Sequence, residues 1–161
     1  MENCLKVGIL GAGNIAGSMA EALNELQKEG KACAYAVASR SQEKALEFAR
    51  KWNITRAYSS YEELASDPEV DLIYIATPHS LHYEQAKLCM EHGKNVLVEK
   101  AFTANARQAE ELFAMAEEKK VFITEAIWTR YMPSREIITG LLREGCLLYT
   151  SPSPRDRQKS R

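Results

Sequence analysis

The residues with the clearest chemical pattern are two glycines near the start of the chain. Gly11 and Gly13, followed by Ala16, form the pattern G-x-G-x-x-A directly after the apolar run 7–10. The first glycine of such a pattern allows a tight turn, the second lets a pyrophosphate approach the backbone, and the third small residue lets a helix pack against a strand. Free N–H groups at the start of the following helix would bind phosphates. The stretch predicts a dinucleotide site, with a glycine-rich turn of some other α/β protein as the alternative.

A second pair of polar residues, Ser39 and Arg40, follows the predicted strand 34–38. A site selective for NAD places an acidic residue near this point, where it binds the ribose 2′-hydroxyl. A hydroxyl and a guanidinium stand there instead, and both groups suit a 2′-phosphate. The pair therefore favours NADP over NAD. A solvent-exposed arginine in a loop that lacks an acid is the structural alternative.

Glu99 and Lys100 end a short apolar run, 95–98. Charged groups that emerge from a buried strand need partners, which makes such a pair unusual. A lysine at this point can donate a hydrogen bond to a substrate oxygen and assist proton transfer. A lysine that simply extends its amine into solvent is the alternative.

Two histidines, His79 and His82, follow the predicted strand 70–76 and are one helical turn apart. As a metal pair they lack a third ligand or a carboxylate nearby, so we predict no metal site. For either histidine, the alternative to metal binding is a surface or capping role.

Strands and helices alternate along the chain, and this order must position the residues described above. The predicted strands comprise residues 7–10, 34–38, 57–58, 70–76, 95–98 and 121–124. Helical patterns of apolar residues lie between them, which indicates βαβ units and an α/β fold with a doubly wound parallel sheet. Ligands bind at the carboxyl ends of the strands in that architecture, and each chemical motif falls at such an end.

Composition excludes several classes of protein. The 161 residues are 45% hydrophobic and 27% charged, which is ordinary for a globular chain of about one domain. No apolar run approaches the roughly 20 residues of a membrane span, and the start of the chain lacks the layout of a signal peptide. We therefore expect a cytoplasmic location and no membrane partner.

The distribution of charge argues against nucleic acid as a partner. The net charge is −1, but residues 146–161 alone carry +3, which leaves 17 basic and 21 acidic residues in the rest of the chain. No basic surface for nucleic acid is expected from such a balance. The four cysteines lack C-x-x-C spacing, so neither a zinc site nor a disulfide framework is predicted.

The end of the chain departs from the pattern of the rest. From Pro133 an amphipathic helix is predicted, with Gly145 as its C-cap and with four apolar residues facing inward, namely Ile137, Ile138, Leu141 and Leu142. Residues 146–161 have no amphipathic period and end in a basic, low-complexity run. Their first six residues, CLLYTS, are similar to one reading frame of a sequencing adapter. We expect 146–161 to be an aberrant or disordered tail and not native sequence, so that the natural chain continues differently after Gly145.

Taken together, four stretches resemble the Gfo/Idh/MocA family of oxidoreductases, over about residues 6–145. They are residues 11–16, 76–82, 98–100 and 125–130. The likeness is strongest to the branch of dihydrodiol dehydrogenases and NADP-dependent D-xylose dehydrogenases, although Ala101 replaces the proline that follows the lysine in many members. It implies a Rossmann domain at 1–126. It also implies that 127–145 form a connector and the first helix of a truncated C-terminal α/β domain.

The same resemblance implies roles for individual residues. Lys100 would be the catalytic lysine that polarises the substrate. The residues implied to line the cofactor site are Gly11, Gly13, Asn14, Ile15, Ser39, Arg40, Thr77, His82, Glu99 and Trp128. A second catalytic residue, a histidine or tyrosine of the C-terminal domain, would lie beyond Gly145.

These observations predict a fragment of an NADP(H)-dependent oxidoreductase. The parent protein would transfer hydride between nicotinamide and a sugar, polyol or dihydrodiol carbinol, and it would be a homo-oligomer, while the isolated chain would be inactive. One alternative is a non-catalytic nucleotide-binding or sensor module, which would not need Lys100. Another is a methyltransferase that uses S-adenosylmethionine, although that class usually has an acid where Ser39 and Arg40 stand.

Overall fold

In the computed structural model of the chain, the residues described are 4–145. They belong to two compact units, with the boundary between Ala126 and Ile127. The predicted tail, residues 146–161, lies outside the described residues.

The first unit alternates strands with helices from end to end. Its elements are β1 (Leu5–Leu10), α1 (Asn14–Lys28), β2 (Ala32–Ala38), α2 (Gln42–Trp52), β3 (Arg56–Tyr58), α3 (Tyr61–Ser66), β4 (Leu72–Ile75), a 3₁₀ turn (His79–Leu81), α4 (His82–Glu91), β5 (Asn95–Val98), α5 (Ala106–Lys119) and β6 (Ile123–Glu125). The second unit contains, within the part that is described, a 3₁₀ turn (Trp128–Tyr131) and α6 (Pro133–Arg143).

The six strands form one parallel sheet in the order β3-β2-β1-β4-β5-β6. This is the strand order of the doubly wound dinucleotide-binding fold, so the predicted fold class is confirmed. The chain leaves β1 toward β2 on one side, and it returns to β4 on the other side. The loops after β1 and β4 therefore diverge, which opens a crevice at the carboxyl edge of the sheet.

The register of the strands aligns the ends of the four central ones. Leu10 at the end of β1 pairs with Ala38 of β2 and with Ile75 of β4. Ile75 pairs in turn with Val98 of β5. The loops that carry the predicted chemical residues consequently begin in one row along the edge.

Two apolar cores, one on each face of the sheet, hold this arrangement. One contains Leu64, Met90 and Leu112, which come from α3, α4 and α5. The other contains Leu23 of α1 and Phe48 of α2. Each large apolar side chain that is fully buried contributes roughly 1.5–3 kcal/mol. Burial on both faces also explains why the central strands are almost wholly apolar in sequence.

The predicted inward face of α6 is wrong. Ile137, Ile138, Leu141 and Leu142 are 65, 51, 40 and 52% exposed. The described residues of its unit offer α6 only the short 3₁₀ turn as a neighbour, which is too small to cover this stripe. No helix among residues 4–145 combines the length and the apolar character needed to cross a membrane.

The turn after β1 brings the backbone of β1 against the loop that follows β4. Gly11 has φ of +103°, and a Cβ built there would lie 2.9 Å from the carbonyl oxygen of Ala76. The N–H of Gly11 donates to the carbonyl of Ala38 over 2.9 Å, and the N–H of Ala76 donates to the carbonyl of Leu10 over 2.9 Å. Only glycine satisfies both the backbone conformation and the close approach.

We expect Gly11→Ala to lower the free energy of unfolding by about 2 kcal/mol or more, because the methyl group meets backbone atoms and the alanine must adopt a disfavoured φ. Urea denaturation followed by circular dichroism measures the change. Gly13→Ala is the matched control, since Gly13 has φ of −93° and a Cβ at this position would meet no heavy atom within 4 Å. It should change stability by less than about 1 kcal/mol. Equal stability of the Gly11→Ala protein and the wild type would contradict this account.

Candidate functional site

The candidate site lies at the carboxyl edge of the sheet. The loops after β1, β2, β4, β5 and β6 all reach this edge because the strands are parallel. These loops and the first residues of the helices that follow them carry every predicted site residue except Trp128. Trp128 belongs to the second unit, where it is 68% exposed in the 3₁₀ turn.

The glycine turn leaves the start of α1 open. Gly13 is the N-cap residue, and no side chain in the described part of the chain caps the helix. Asn14 and Ile15 in the first turn are exposed, whereas Ala16 is fully buried. The first N–H groups of a helix have no partner within it, and the helix dipole favours negative charge there. The predicted phosphate-binding residues thus form one surface, and no Cβ at Gly13 obstructs it.

A cavity of about 490 Å³ opens beside this turn, between α1 and α2. Gly13 and Ser18 line it on one side, and Lys44 and Trp52 line it on the other. Gly17 allows the two helices to approach closely, since a Cβ at this position would lie only 3.3 Å from the Trp52 ring. Lys44 was not among the site residues predicted from the sequence. The one indication of it there is a basic residue in the first turn of the helix that follows Arg40.

Ser39 is held by backbone hydrogen bonds, and the guanidinium of Arg40 is exposed beside it. The N–H of Ser39 donates to the carbonyl of Tyr58 over 3.3 Å, and the Ser39 hydroxyl accepts from the N–H of Ser41 over 3.4 Å. Arg40 is exposed, and among residues 4–145 no carboxylate forms an ion pair with it. An unpaired guanidinium next to a hydroxyl is available for an anion.

His82 lies beneath the edge and contacts two loops at once. Its side chain is fully buried, and its ring nitrogens lie 2.9 Å from the carbonyl oxygen of Thr77 and 2.8 Å from that of Ala101. A neutral imidazole donates through only one nitrogen, so both contacts are hydrogen bonds together only in the imidazolium form. His79 is exposed, and its ring lies edge-on to that of His82 at 5.4 Å. The lining role predicted for His82 stays a prediction, and its contacts are those of a residue that joins loops.

Thr77 is nearly buried at the start of the loop after β4. Its hydroxyl hydrogen-bonds the side-chain oxygen of Gln85 in α4. Thr77, which would face a ligand at this loop, therefore contacts two residues of α4, namely Gln85 and His82.

Glu99 orients the backbone of Lys100. One carboxylate oxygen accepts from the buried hydroxyl of Tyr74, and the other accepts from the N–H of Lys100 over 3.1 Å. The Lys100–Ala101 peptide bond is cis, and the Lys100 side chain is exposed at the edge. Burial, together with the Glu99 carboxylate, raises the pKa of Tyr74 well above its usual range. Tyr74 thus remains a hydrogen-bond donor, a role that its apolar strand gave no reason to expect.

No three histidine, cysteine or acidic side chains among the described residues come together as a group that could hold a metal ion.

The strand order, the glycine turn and the open start of α1 define a dinucleotide-binding Rossmann domain. The family described as "Oxidoreductase family, NAD-binding Rossmann fold" (GFO_IDH_MocA) matches residues 5–126. The chain belongs to this family.

Curated relatives are considerably longer than this chain. The trans-1,2-dihydrobenzene-1,2-diol dehydrogenase of Xenopus tropicalis is 42% identical over 139 residues, which are 86% of this chain and 42% of that protein. The D-xylose 1-dehydrogenase (NADP(+)) of Hypocrea jecorina is 40% identical over 150 residues, covering 88% of this chain and 38% of that protein. The chain thus spans about two fifths of the length of these relatives.

Solved structures share the fold. KijD10, a 3-ketoreductase from Actinomadura kijaniata in complex with TDP-benzene and NADP, superposes with a TM-score of 0.81 at 31% identity over 89% of this chain and 44% of that one. An NAD binding oxidoreductase from Klebsiella pneumoniae also gives a TM-score of 0.81, at 28% identity, over 89% of this chain and 40% of that chain.

Replacing Tyr74 with phenylalanine tests the contact between the phenol and Glu99. We expect Tyr74→Phe to lower the free energy of unfolding by about 1 kcal/mol below pH 9, since one buried hydrogen bond is lost. The difference should shrink as the pH rises above about 10, because the unfolded tyrosine then ionises while the folded one keeps its proton. Urea denaturation at several pH values measures both effects.

Tyr131→Phe is the control for this substitution, since its ring is 65% exposed. It should leave stability unchanged below pH 9. A difference between wild type and Tyr74→Phe that grows above pH 10 would be inconsistent with a phenol that donates to a carboxylate.

Proposed function

We propose that this chain is the NADP(H)-binding part of an oxidoreductase that acts on a carbinol of a sugar, polyol or dihydrodiol. The observation that carries the proposal is the unobstructed N-terminus of α1 at Gly13, in one row with Ser39–Arg40 and Lys100. Phosphate groups, a 2′-phosphate and a reacting oxygen would meet these three positions, in that order.

The chain's own residues would hold the cofactor as follows. The N–H groups of Asn14 and Ile15 bind the pyrophosphate, as helix N-termini do. Arg40 pairs with the 2′-phosphate, with the Ser39 hydroxyl beside it and Lys44 across the neighbouring cavity. When bound, the cofactor supplies or accepts the hydride.

Lys100 would act on the substrate and not on the cofactor phosphates. Its amine donates a hydrogen bond to the carbinol or carbonyl oxygen, and this stabilises the charge that develops there during reaction. Glu99 holds the backbone of this lysine, which places the amine at the end of β5. Positioning of this kind leaves the difficult chemistry to the cofactor.

Relatives support this assignment. The names of the relatives identify diol and sugar dehydrogenases, one of them NADP-dependent, and the KijD10 structure contains NADP. The homo-oligomeric state and the cytoplasmic location of the parent protein stay predictions from the sequence, as does the absence of nucleic acid among its partners.

Fluorescence titration of the chain tests the proposal, with NADPH, NADH and S-adenosylmethionine as the three ligands. We expect NADPH to bind most tightly. A preference for NADH would contradict the argument from Ser39 and Arg40, and a preference for S-adenosylmethionine would contradict the whole assignment.

The Arg40→Ala variant, studied in the same titration, tests whether Arg40 contacts the 2′-phosphate. NADPH affinity should fall by about 10- to 100-fold, the value of a charge-assisted phosphate contact, while NADH affinity changes little. Arg50→Ala, which removes another exposed arginine from α2, is the control and should bind both ligands as the wild type does. Equal losses for NADPH and NADH would place Arg40 away from the 2′-phosphate.

Lys100→Ala tests the enzymatic role in the full-length protein. Turnover should fall by about 100-fold or more, the usual contribution of an acid–base group, while NADPH affinity changes little. Lys119→Ala removes an exposed lysine from the last turn of α5 and serves as the control. Unchanged turnover of Lys100→Ala would contradict the catalytic role of Lys100, whereas NADPH binding without any turnover by the wild type would favour a non-catalytic nucleotide-binding module.

A further inference from the structure

Three consecutive residues, 100–102, form what we call the Lys100 loop, and side chains hold its backbone at three successive points. The N–H of Lys100 donates to Glu99, and the carbonyl of Ala101 lies 2.8 Å from a ring nitrogen of His82. The N–H of Phe102 donates to a carboxylate oxygen of Glu125 over 2.8 Å. The first of these side chains is adjacent in sequence, whereas the other two come from α4 and β6, so tertiary contacts hold the loop beyond Lys100.

Of these three contacts, the one from Glu125 involves a residue to which no role at the site has been assigned above. It is the last residue of β6 and pairs with Val98, and the next N–H, that of Ala126, donates to the Val98 carbonyl over 2.7 Å. The β6 backbone is thereby fixed against β5 at the point where the Lys100 loop leaves it. The carboxylate is partly buried, which strengthens a hydrogen bond from a backbone N–H.

Phe102 is held through its side chain as well as through its N–H. Its ring stacks on that of Phe113 in α5, with centroids 5.3 Å apart and planes 20° from parallel. Phe102 is thus bound through its N–H by β6 and through its ring by α5. Such a doubly held residue defines where the loop ends, and with Glu99 at its start the path of the intervening backbone is fixed.

We propose that Glu125 is a positioning residue for Lys100. It acts through the N–H of Phe102 and fixes the direction in which the loop presents the lysine. The inference rests on the proposed function, in which Lys100 works at the nicotinamide end of the cofactor. That end is remote from Arg40, since β1 and β4 separate β2 from β5 in the sheet.

Two measurements on the full-length protein distinguish positioning from simple destabilisation, namely turnover and NADPH affinity. Turnover depends on where the loop presents the Lys100 amine, whereas NADPH affinity should change little even when that amine is removed. With Glu125→Ala we expect turnover to fall about fivefold and NADPH affinity to stay within about twofold of wild type, because one hydrogen bond to the loop is lost while the phosphate-binding end is distant. Exchange of the Phe102 amide hydrogen, measured by NMR, should accelerate by about 10-fold or more.

Two further variants keep the test independent of folding defects. Glu125→Gln retains an oxygen that can accept from Phe102, and it should restore wild-type turnover and amide protection. Glu125→Asp keeps the charge but withdraws the carboxylate by one methylene, and it should behave as Glu125→Ala does. Glu118→Ala removes an exposed glutamate from α5 and is the control for loss of charge.

The outcomes separate the two proposals. Failure of the wild type to bind NADPH would overturn the proposed function itself. If the wild type binds NADPH but Glu125→Ala and Glu125→Asp turn over substrate as fast as the wild type, or lose turnover and NADPH affinity to the same extent, the positioning role is wrong and the proposed function stands. Selective loss of turnover, restored by Glu125→Gln, supports the role.

Discussion

The alignment of four parallel strand ends is the constraint on which the rest of this structure depends. Leu10 of β1 lies between Ala38 of β2 and Ile75 of β4, and Ile75 lies beside Val98 of β5. A shift of one residue in any of these pairs would exchange the faces of a strand, so that side chains fitted to one core would have to pack in the other. Because the cores fix the register, the loops that bear the glycine turn, Ser39–Arg40, Thr77 and Lys100 must begin side by side.

The two ends of this edge are built in different ways. At α1 the proposed ligands are backbone N–H groups, so the site needs open space, and Gly13 leaves it. At β5 the proposed chemistry belongs to the Lys100 side chain, so the site needs restraint, and contacts from Glu99, His82 and Glu125 restrain the backbone of the Lys100 loop. The first arrangement suits a cofactor that many reactions share, and the second suits a contact with a single reacting atom of the substrate.

Much of the fold and part of the site could be predicted from the sequence, because their causes are local. The glycine turn, the short apolar strands and the capping of α3 by Ser60, which accepts from the N–H of Glu63 over 3.1 Å, each depend on residues close in the chain. The contacts of Tyr74 with Glu99 and of Glu125 with Phe102 join residues 25 and 23 positions apart, and they leave no local pattern. Exposure of the α6 stripe could not be predicted for a related reason, since periodicity does not show whether a surface exists for an apolar face to contact. The predicted strand 70–76 was likewise longer than β4, because apolar residues continue beyond the hydrogen-bonded ladder.

The packing of Trp52 against Gly17 has an optical consequence. The chain has two tryptophans, and the structure places Trp52 in the wall of the cavity beside Gly13 and Trp128 in the other unit. An indole in that wall is an intrinsic chromophore for the first unit, since any molecule that fills the cavity alters the solvent around its ring. With Trp128→Phe as the parent sequence, the emission of the protein would report on this cavity alone, without an attached dye.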